Sequence, residues 1–204
     1  MNISILIPIY KRNSFKNLII YNLNNLNYDQ TLLELIILDD AEQEDLFIKN
    51  KEAKYNMCAY MDSDDLYHQD YLKHSIKIMK EGKFNIVGSN QMLFVYPTLD
   101  IFQPWITTGI QCDHKRMIHE ATMVFNKKYF KAMGGFENSS KGEGTKMLDG
   151  MNEKAIGLTD ISNVMFCICH SDNTINKDYF KDKNVLDISL DIQDKYKIVQ
   201  ALTF

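Results

Sequence analysis

The stretch "YMDSDDLYHQDYL" puts three carboxylates, Asp62, Asp64 and Asp65, within four positions. Acids this close repel one another unless a cation or a set of hydrogen-bond donors stands among them. One solution is a helix N-terminus, where an acid caps free N–H groups and gains from the positive end of the dipole. That suits Asp65, ahead of the periodic run that follows, but not Asp62, which ends the apolar lead-in "MCAYM". The other solution is a divalent cation. Carboxylates at i and i+2 near a turn reach one hard ion, directly or through water and a ligand phosphate. The ion would relieve the repulsion and neutralise a diphosphate together.

Asp is a poor residue inside strands and helices, so the cluster belongs at a strand-to-helix junction. The surrounding sequence supplies both elements. "ISILIPIY" is a β-branched run expected to form a buried parallel strand. In "NSFKNLIIYNLNNL", Phe15, Leu18, Ile19, Leu23 and Leu26 fall on one helix face, with Asn13 or Ser14 available as cap. "LLELIILDD" is a second strand ending in the acids Asp39 and Asp40, and "MCAYMDSDD" is a third with the same ending. "HQDYLKHSIKIMKEGKF" is predicted as an amphipathic helix with Gly82 as C-cap. "FNIVGSN", "QMLFVYP", "HEATMVF" and "NVMFCICH" are predicted strands, and "NKKYFKAMGGF" a short helix with a glycine stop. Pro97 to about Lys115 is expected to be irregular, and the tail after Asp182 to hold a helix packed across the domain. Ligands of open α/β sheets bind outside the carboxyl ends of the strands. Two early strands place acids there.

The whole is read as one α/β domain over residues 1–204, with a mixed, mainly parallel sheet flanked by helices. A net charge of -4 argues against nucleic-acid binding through a basic face. No run of 18 apolar residues predicts a transmembrane helix, and "MNISILIPIYKR" reads as a first strand rather than a signal peptide. The expected location is cytoplasmic, with Cys58, Cys112, Cys167 and Cys169 as free thiols. "CICH" holds zinc-ligand types, but Cys167 and Cys169 alternate with His170 along a strand and a second ligand pair is missing.

Four segments in order, "ISILIPIYKR", "LELIILDD", "AYMDSDDLYHQDYL" and "GGFENSSKGEG", together resemble a GT-A-type glycosyltransferase of the family-two kind, from Ile3 to about Thr174. The Asn-, Lys- and Ile-rich composition fits an AT-rich genome, such as that of a parasite or a large DNA virus. The resemblance implies transfer of a sugar from a nucleotide-sugar, a UDP-sugar first, to a glycan or other hydroxyl acceptor. It implies a donor half over about 1–95 and an acceptor half over about 96–180. Pro8, Ile9 and Tyr10 would lie under the nucleotide base, with Tyr10 near the uracil. Asp40, or Asp39 beside it, would hydrogen-bond the base. Asp62 and Asp64, with Ser63 between them, match the D-x-D: Asp62 towards ribose and metal, Asp64 as direct ligand of Mn²⁺ or Mg²⁺. His170 opens "HSDNT", similar to a late "H-x-x-N-T" segment, and would complete the metal shell or touch the diphosphate.

An inverting transfer also needs a carboxylate to take the acceptor's proton. Family members often carry Glu-Asp shortly after "GGF". Here Glu143 matches the first position and Gly144 stands at the second. Glu143 is the first choice for base and Glu120 the second, with Glu120 and His119 alternatively binding acceptor hydroxyls. Glu137 is read as an exposed turn acid, Trp105 as a sugar platform or core residue, and Gly134 and Gly135 as positive-φ turn residues. The segment between Asp40 and Asp62 is shorter than is usual in the family, leaving Lys51, Lys54 or Asn56 to reach the base or diphosphate. The chain reads as a minimal enzyme or a domain of a larger protein. Two other readings stand beside this one. A sugar-1-phosphate nucleotidyltransferase would show a Gly-rich loop after the first strand, and "PIYKRNSFKN" has none. A non-catalytic nucleotide-sugar or glycan-binding module is compatible with Gly144.

Overall fold

The computed structural model describes residues 1–9, 13–39, 53–96, 105–108, 114–137, 142–171, 173, 176–180 and 192–202. Its first strand, β1 (Ile3–Ile9), is the β-branched run expected from sequence. It pairs in parallel with β2 (Leu33–Asp39) on one side and β3 (Met57–Tyr60) on the other. Beyond β3 the sheet continues through β8 (Val124–Asn126), β5 (Ile86–Gly88) and β9 (Ile156–Leu158), in the order β2-β1-β3-β8-β5-β9. β8 is antiparallel to both β3 and β5, and β5 is parallel to β9. Five strands thus share one direction and β8 opposes them.

Alternation along β1 assigns the two faces of this sheet. Ile3, Ile5 and Ile7 join a core with Ile19 of helix α1 (Lys16–Asn25) and with Tyr71, Leu72, Ile76 and Met79 of helix α2 (Tyr71–Gly82). Leu6, Cys58, Tyr60 and Ile86 pack on the other face, against Phe130 of α3 (Lys127–Ala132) and Met147 and Leu148 of α4 (Thr145–Asp149). Each such buried apolar side chain is worth about 1.5–3 kcal/mol, so both layers are held by burial rather than by helix propensity.

A second sheet has the order β4-β10-β6-β7, from β4 (Leu66–Tyr67), β10 (Met165–Ile168), β6 (Leu93–Tyr96) and β7 (Trp105–Thr108). The β7 strand corrects the expectation of irregular chain there. It forms because residues 105–108 find an antiparallel partner in β6, a long-range pairing that local composition does not announce. The tail helix α5 (Ile192–Leu202) lies on α1, with Ile198 buried beside Phe15 and Leu18. Tyr21 Oη donates to Asp194 Oδ1 at 2.8 Å across that contact. Among the described residues, no helix is long and apolar enough to cross a membrane.

Two expected caps differ from those observed. A 3₁₀ turn over Asn13–Phe15 precedes α1, so Phe15 rather than Asn13 or Ser14 stands at its N-cap, without a side-chain cap bond. At the end of α2 the left-handed residue is Lys83, with φ 53°, and Gly82 is the last helical residue. A Cβ on Gly82 would meet the Phe84 ring at 2.0 Å, so glycine is required there by close approach and not by φ.

Candidate active site

β3 stops at Tyr60, opposite Leu6, while β1 runs on to Ile9. Met61 N donates to Leu6 O at 3.0 Å and carries the chain past the sheet edge. The next four residues turn. Asp62 N donates to Tyr67 Oη at 2.8 Å, and Tyr67 Oη in turn donates to Ala121 O at 2.8 Å. One buried phenol therefore closes the acid turn on itself and ties it to the segment leading into β8. Asp62, Asp64 and Asp65 each present an oxygen within 4.8 Å of the others. Ser63, Asp64 and Asp65 are buried, and Asp62 is half-buried.

Asp65 is not a helix cap, contrary to the sequence reading. The chain after it forms β4, and α2 starts only at Tyr71, with Asp70 at its N-cap. Asp65 Oδ1 instead accepts from Ile168 N at 3.0 Å, and its carbonyl accepts from Asn22 Nδ2 at 2.8 Å. The side chain acts as one more rung between β4 and β10, whose ladder pairs Tyr67 with Met165 and Leu66 with Phe166. Burial, then the charge of Asp64, push the Asp65 carboxyl up to about 6, against the opposing pull of Lys177 and Ile168 N–H. Lys177 donates to Cys167 Sγ at 2.7 Å. Burial pushes the Cys167 thiol strongly up and keeps it neutral, so Asp65 is the anion that Lys177 balances.

Through this rung β10 is aligned so that His170 reaches the acids. His170 Nε2 stands 3.0 Å from Asp64 Oδ2. Asn173 holds the arrangement: its Oδ1 accepts from His170 N at 2.8 Å, and its Nδ2 lies 2.9 Å from His170 Nε2 and 3.4 Å from Asp64 Oδ2. The imidazole also packs on Phe15, with ring centroids 4.8 Å apart. Among the described residues the three acids are the group of His, Cys, Asp and Glu that meets the spacing for an ion. Asp65 is already engaged by a backbone N–H, which leaves Asp62 and Asp64 of that group; His170 adjoins Asp64 but lies outside the group that meets the spacing. Paired carboxylates suit a hard divalent cation such as Mn²⁺ or Mg²⁺. Cys58, Cys167 and Cys169 are free thiols.

A second pair of carboxylates comes together at the other wall. Tyr60, the last residue of β3, packs on Phe136 with centroids 5.1 Å apart, drawing the glycine turn of "GGF" to the sheet edge. Gly134 and Gly135 take φ of 98° and 68°, the left-handed backbone expected of them. Glu137 N donates to Glu143 O at 2.8 Å, and Gly144 N donates to Glu120 Oε1 at 3.1 Å. Glu120 and Glu143, candidates from distant segments, are thus neighbours. Burial, and then the charge of Glu120, raise the Glu143 carboxyl, while its own backbone N–H pulls the other way. His119 is held neutral by burial, and its Nε2 has no partner among the described protein groups. Glu137 is exposed and pairs with Lys146 Nζ at 2.9 Å, as a turn acid would.

The remaining candidates fall in different places. Pro8 is half-buried in β1, opposite Leu38, at the carboxyl edge. Asp39 ends β2 beside Ile9, with its side chain outside the described residues, as are Tyr10, Asp40, Lys51 and the side chain of Trp105. Lys54 and Asn56 do not lie at the carboxyl edge of the sheet. They precede β3, whose first residue Met57 pairs with Ile3, so they lie at the opposite, amino end of the sheet. There Lys54 N donates to Glu34 Oε2 and Asn56 Oδ1 accepts from Lys128 N. Tyr67, Asn173 and Lys177 were not among the sequence candidates. Tyr67 and Lys177 act through backbone and buried contacts, for which no local motif exists, whereas Asn173 was visible within "HSDNT".

No family model and no curated protein matches the sequence. Solved structures do. S. aureus TarS residues 1–349, in complex with UDP-GlcNAc, superimposes with a TM-score of 0.59 at 15% identity, over 85% of this chain and 60% of that one. The mannosyltransferase PcManGT from Pyrobaculum calidifontis, in complex with GDP-Man and Mn²⁺, gives 0.57 at 13% identity, over 82% and 56%. The fold is that of the GT-A glycosyltransferases. The chain spans less than two thirds of the length of the structures it matches, 37% in the case of a longer TarS chain.

Proposed function

We propose that the protein is a metal-dependent glycosyltransferase that moves a sugar from a nucleotide-sugar, a UDP-sugar first, to a hydroxyl of a glycan or similar acceptor, with inversion. The reading is supported above all by Asp64 and His170 meeting at the carboxyl edge of a GT-A sheet, beside Asp62. The structures it resembles carry UDP-GlcNAc in one case and GDP-Man with Mn²⁺ in another, which supports the same donor class here. The donor half comprises about residues 1–95 and the acceptor half about 96–180.

Asp62, Asp64 and His170 would hold Mn²⁺, which when bound supplies a Lewis acid for the diphosphate leaving group. The nucleoside would lie along the ends of β1 and β2, with Pro8 and Tyr10 below the base, Asp39 or Asp40 at its edge and Ser63 within the donor loop. The Tyr67 bridge ties the acid turn to the segment leading into β8. Asn173 fixes the imidazole, and Lys177 with Ile168 N–H absorbs the charge of Asp65, so the repulsion left to a cation is that of Asp62 and Asp64. A carboxylate of the Glu120–Glu143 pair accepts the acceptor's proton as its oxygen bonds to the anomeric carbon. The bond from that carbon to the diphosphate oxygen breaks, and the nucleoside diphosphate departs with its electron pair.

The test is Mn²⁺-dependent hydrolysis of UDP-GlcNAc and GDP-mannose, with water standing in for the acceptor. Release of UDP or GDP that stops in EDTA supports the reading. Intact donors at high enzyme concentration with Mn²⁺ would overturn it.

A further inference from the structure

We propose that the general base is Glu120, delivered from the turn before β8 into room that Gly144 leaves open. This rests on the glycosyltransferase reading and names one member of the carboxylate pair. Glu120 opens a 3₁₀ turn over Glu120–Thr122, and the very next residue, Ala121, gives its carbonyl to Tyr67 Oη. The same oxygen receives Asp62 N. Glu120 is therefore one residue from an atom that shares a hydrogen-bond partner with the acid turn. A base must stand close to the donor's anomeric carbon, and on the proposed function the same turn would hold the donor's diphosphate.

The space around Gly144 supports the assignment. A Cβ there would come 3.2 Å from Glu120 Oε1, 3.3 Å from Glu120 Cγ and 3.1 Å from the Phe136 ring. Each contact is tighter than ordinary van der Waals separation, so a larger residue at 144 and Glu120 in its present position compete for one volume. Glycine has no need of its conformational freedom here, since Gly144 has φ -86°. Its value is the absent side chain and the exposed N–H, which donates to Glu120 Oε1 at 3.1 Å and orients that carboxylate while leaving its other oxygen for a substrate hydroxyl. Glu143 is the poorer base. Its carbonyl is engaged by Glu137 N, and among the described residues no hydrogen bond links Glu143 to the acid turn as Tyr67 links the turn of Glu120. The volume that a side chain at position 144 would take is in this way held by a carboxylate from 24 residues earlier in the chain.

The experiment measures Mn²⁺-dependent hydrolysis of UDP-GlcNAc and GDP-mannose together with calorimetric binding of UDP in Mn²⁺. Glu120→Gln, which keeps the shape and an oxygen acceptor for Gly144 N–H, should lower turnover by about 100-fold and leave UDP affinity within about twofold. Glu143→Gln should cost less than Glu120→Gln. In the Glu120→Ala background, Gly144→Asp should recover at least part of the lost turnover, because the contacts with Glu120 Oε1 and Cγ are gone, only that with the Phe136 ring remains, and a carboxylate returns to the same volume. Full turnover in Glu120→Gln with loss in Glu143→Gln would overturn the assignment while leaving the transferase reading intact. If the wild type neither binds UDP nor turns over either donor, both fail together.

Discussion

His170 Nε2 and Asp64 Oδ2 lie 3.0 Å apart although 106 residues separate them in the chain. Neither β3 nor β10 alone brings them together. The contact depends on Asp65, whose carboxylate extends the β4–β10 ladder by one rung and thereby sets how far β10 slides past the acid turn.

The metal assignment makes the first prediction. Asp64→Ala should abolish Mn²⁺-dependent turnover and weaken UDP binding in Mn²⁺ by about tenfold or more, with little change in EDTA. Isothermal calorimetry in both buffers checks it, and turnover equal to wild type would contradict it.

Asp65 should behave as a structural acid. Asp65→Ala leaves Ile168 N without a partner in a buried place, a loss of about 1–3 kcal/mol measurable by urea unfolding. Asp65→Asn keeps an acceptor and removes a charge pushed up to about 6 by burial and Asp64. It should be at least as stable as wild type at neutral pH, and retain more activity than the alanine variant.

Tyr67→Phe tests the bridge between the acid turn and the turn before β8. It orphans Asp62 N and Ala121 O, both bonded to the one hydroxyl, at about 1–3 kcal/mol for each group that stays dry. Turnover should fall more than UDP affinity, since the bridge aligns the two walls rather than the donor alone.

Much of this was legible in the sequence. The acids after β3, the "GGF" turn and "HSDNT" point to the proposed site, because residue types suited to a carboxylate–metal centre recur at element ends. Asp65 was misread because a cap and a ladder rung both use an acid ahead of a helix, and only the partner, Ile168 N, distinguishes them. Lys54 and Asn56 were placed at the wrong edge because charge and proximity in sequence carry no information on which end of β3 they occupy. The meeting of Glu120 with Gly144, and the Tyr67 bridge, depend on packing between distant segments and have no local signal.

Glu143 gives a prediction in pH. Burial and Glu120 raise its carboxyl in the folded state. A group raised on folding contributes stability that is present while it is protonated and lost as pH rises through the folded value. Glu143→Gln should therefore have a higher Tm than wild type at pH 7, and the difference should vanish as pH falls below the ordinary glutamate range. Thermal melts across pH 4 to 8 read this directly; a gap that widens on acidification would contradict it.

The central claim is that Asp62, Asp64 and His170 form a cation-dependent nucleotide-sugar site. Calorimetric titration of UDP-GlcNAc and GDP-mannose into the wild-type protein, with Mn²⁺ and again with EDTA, tests it most directly. The account predicts saturable binding of at least one donor in Mn²⁺, weakened by about tenfold or more in EDTA. Binding equally strong in EDTA, or none of either donor with Mn²⁺ present, would contradict it.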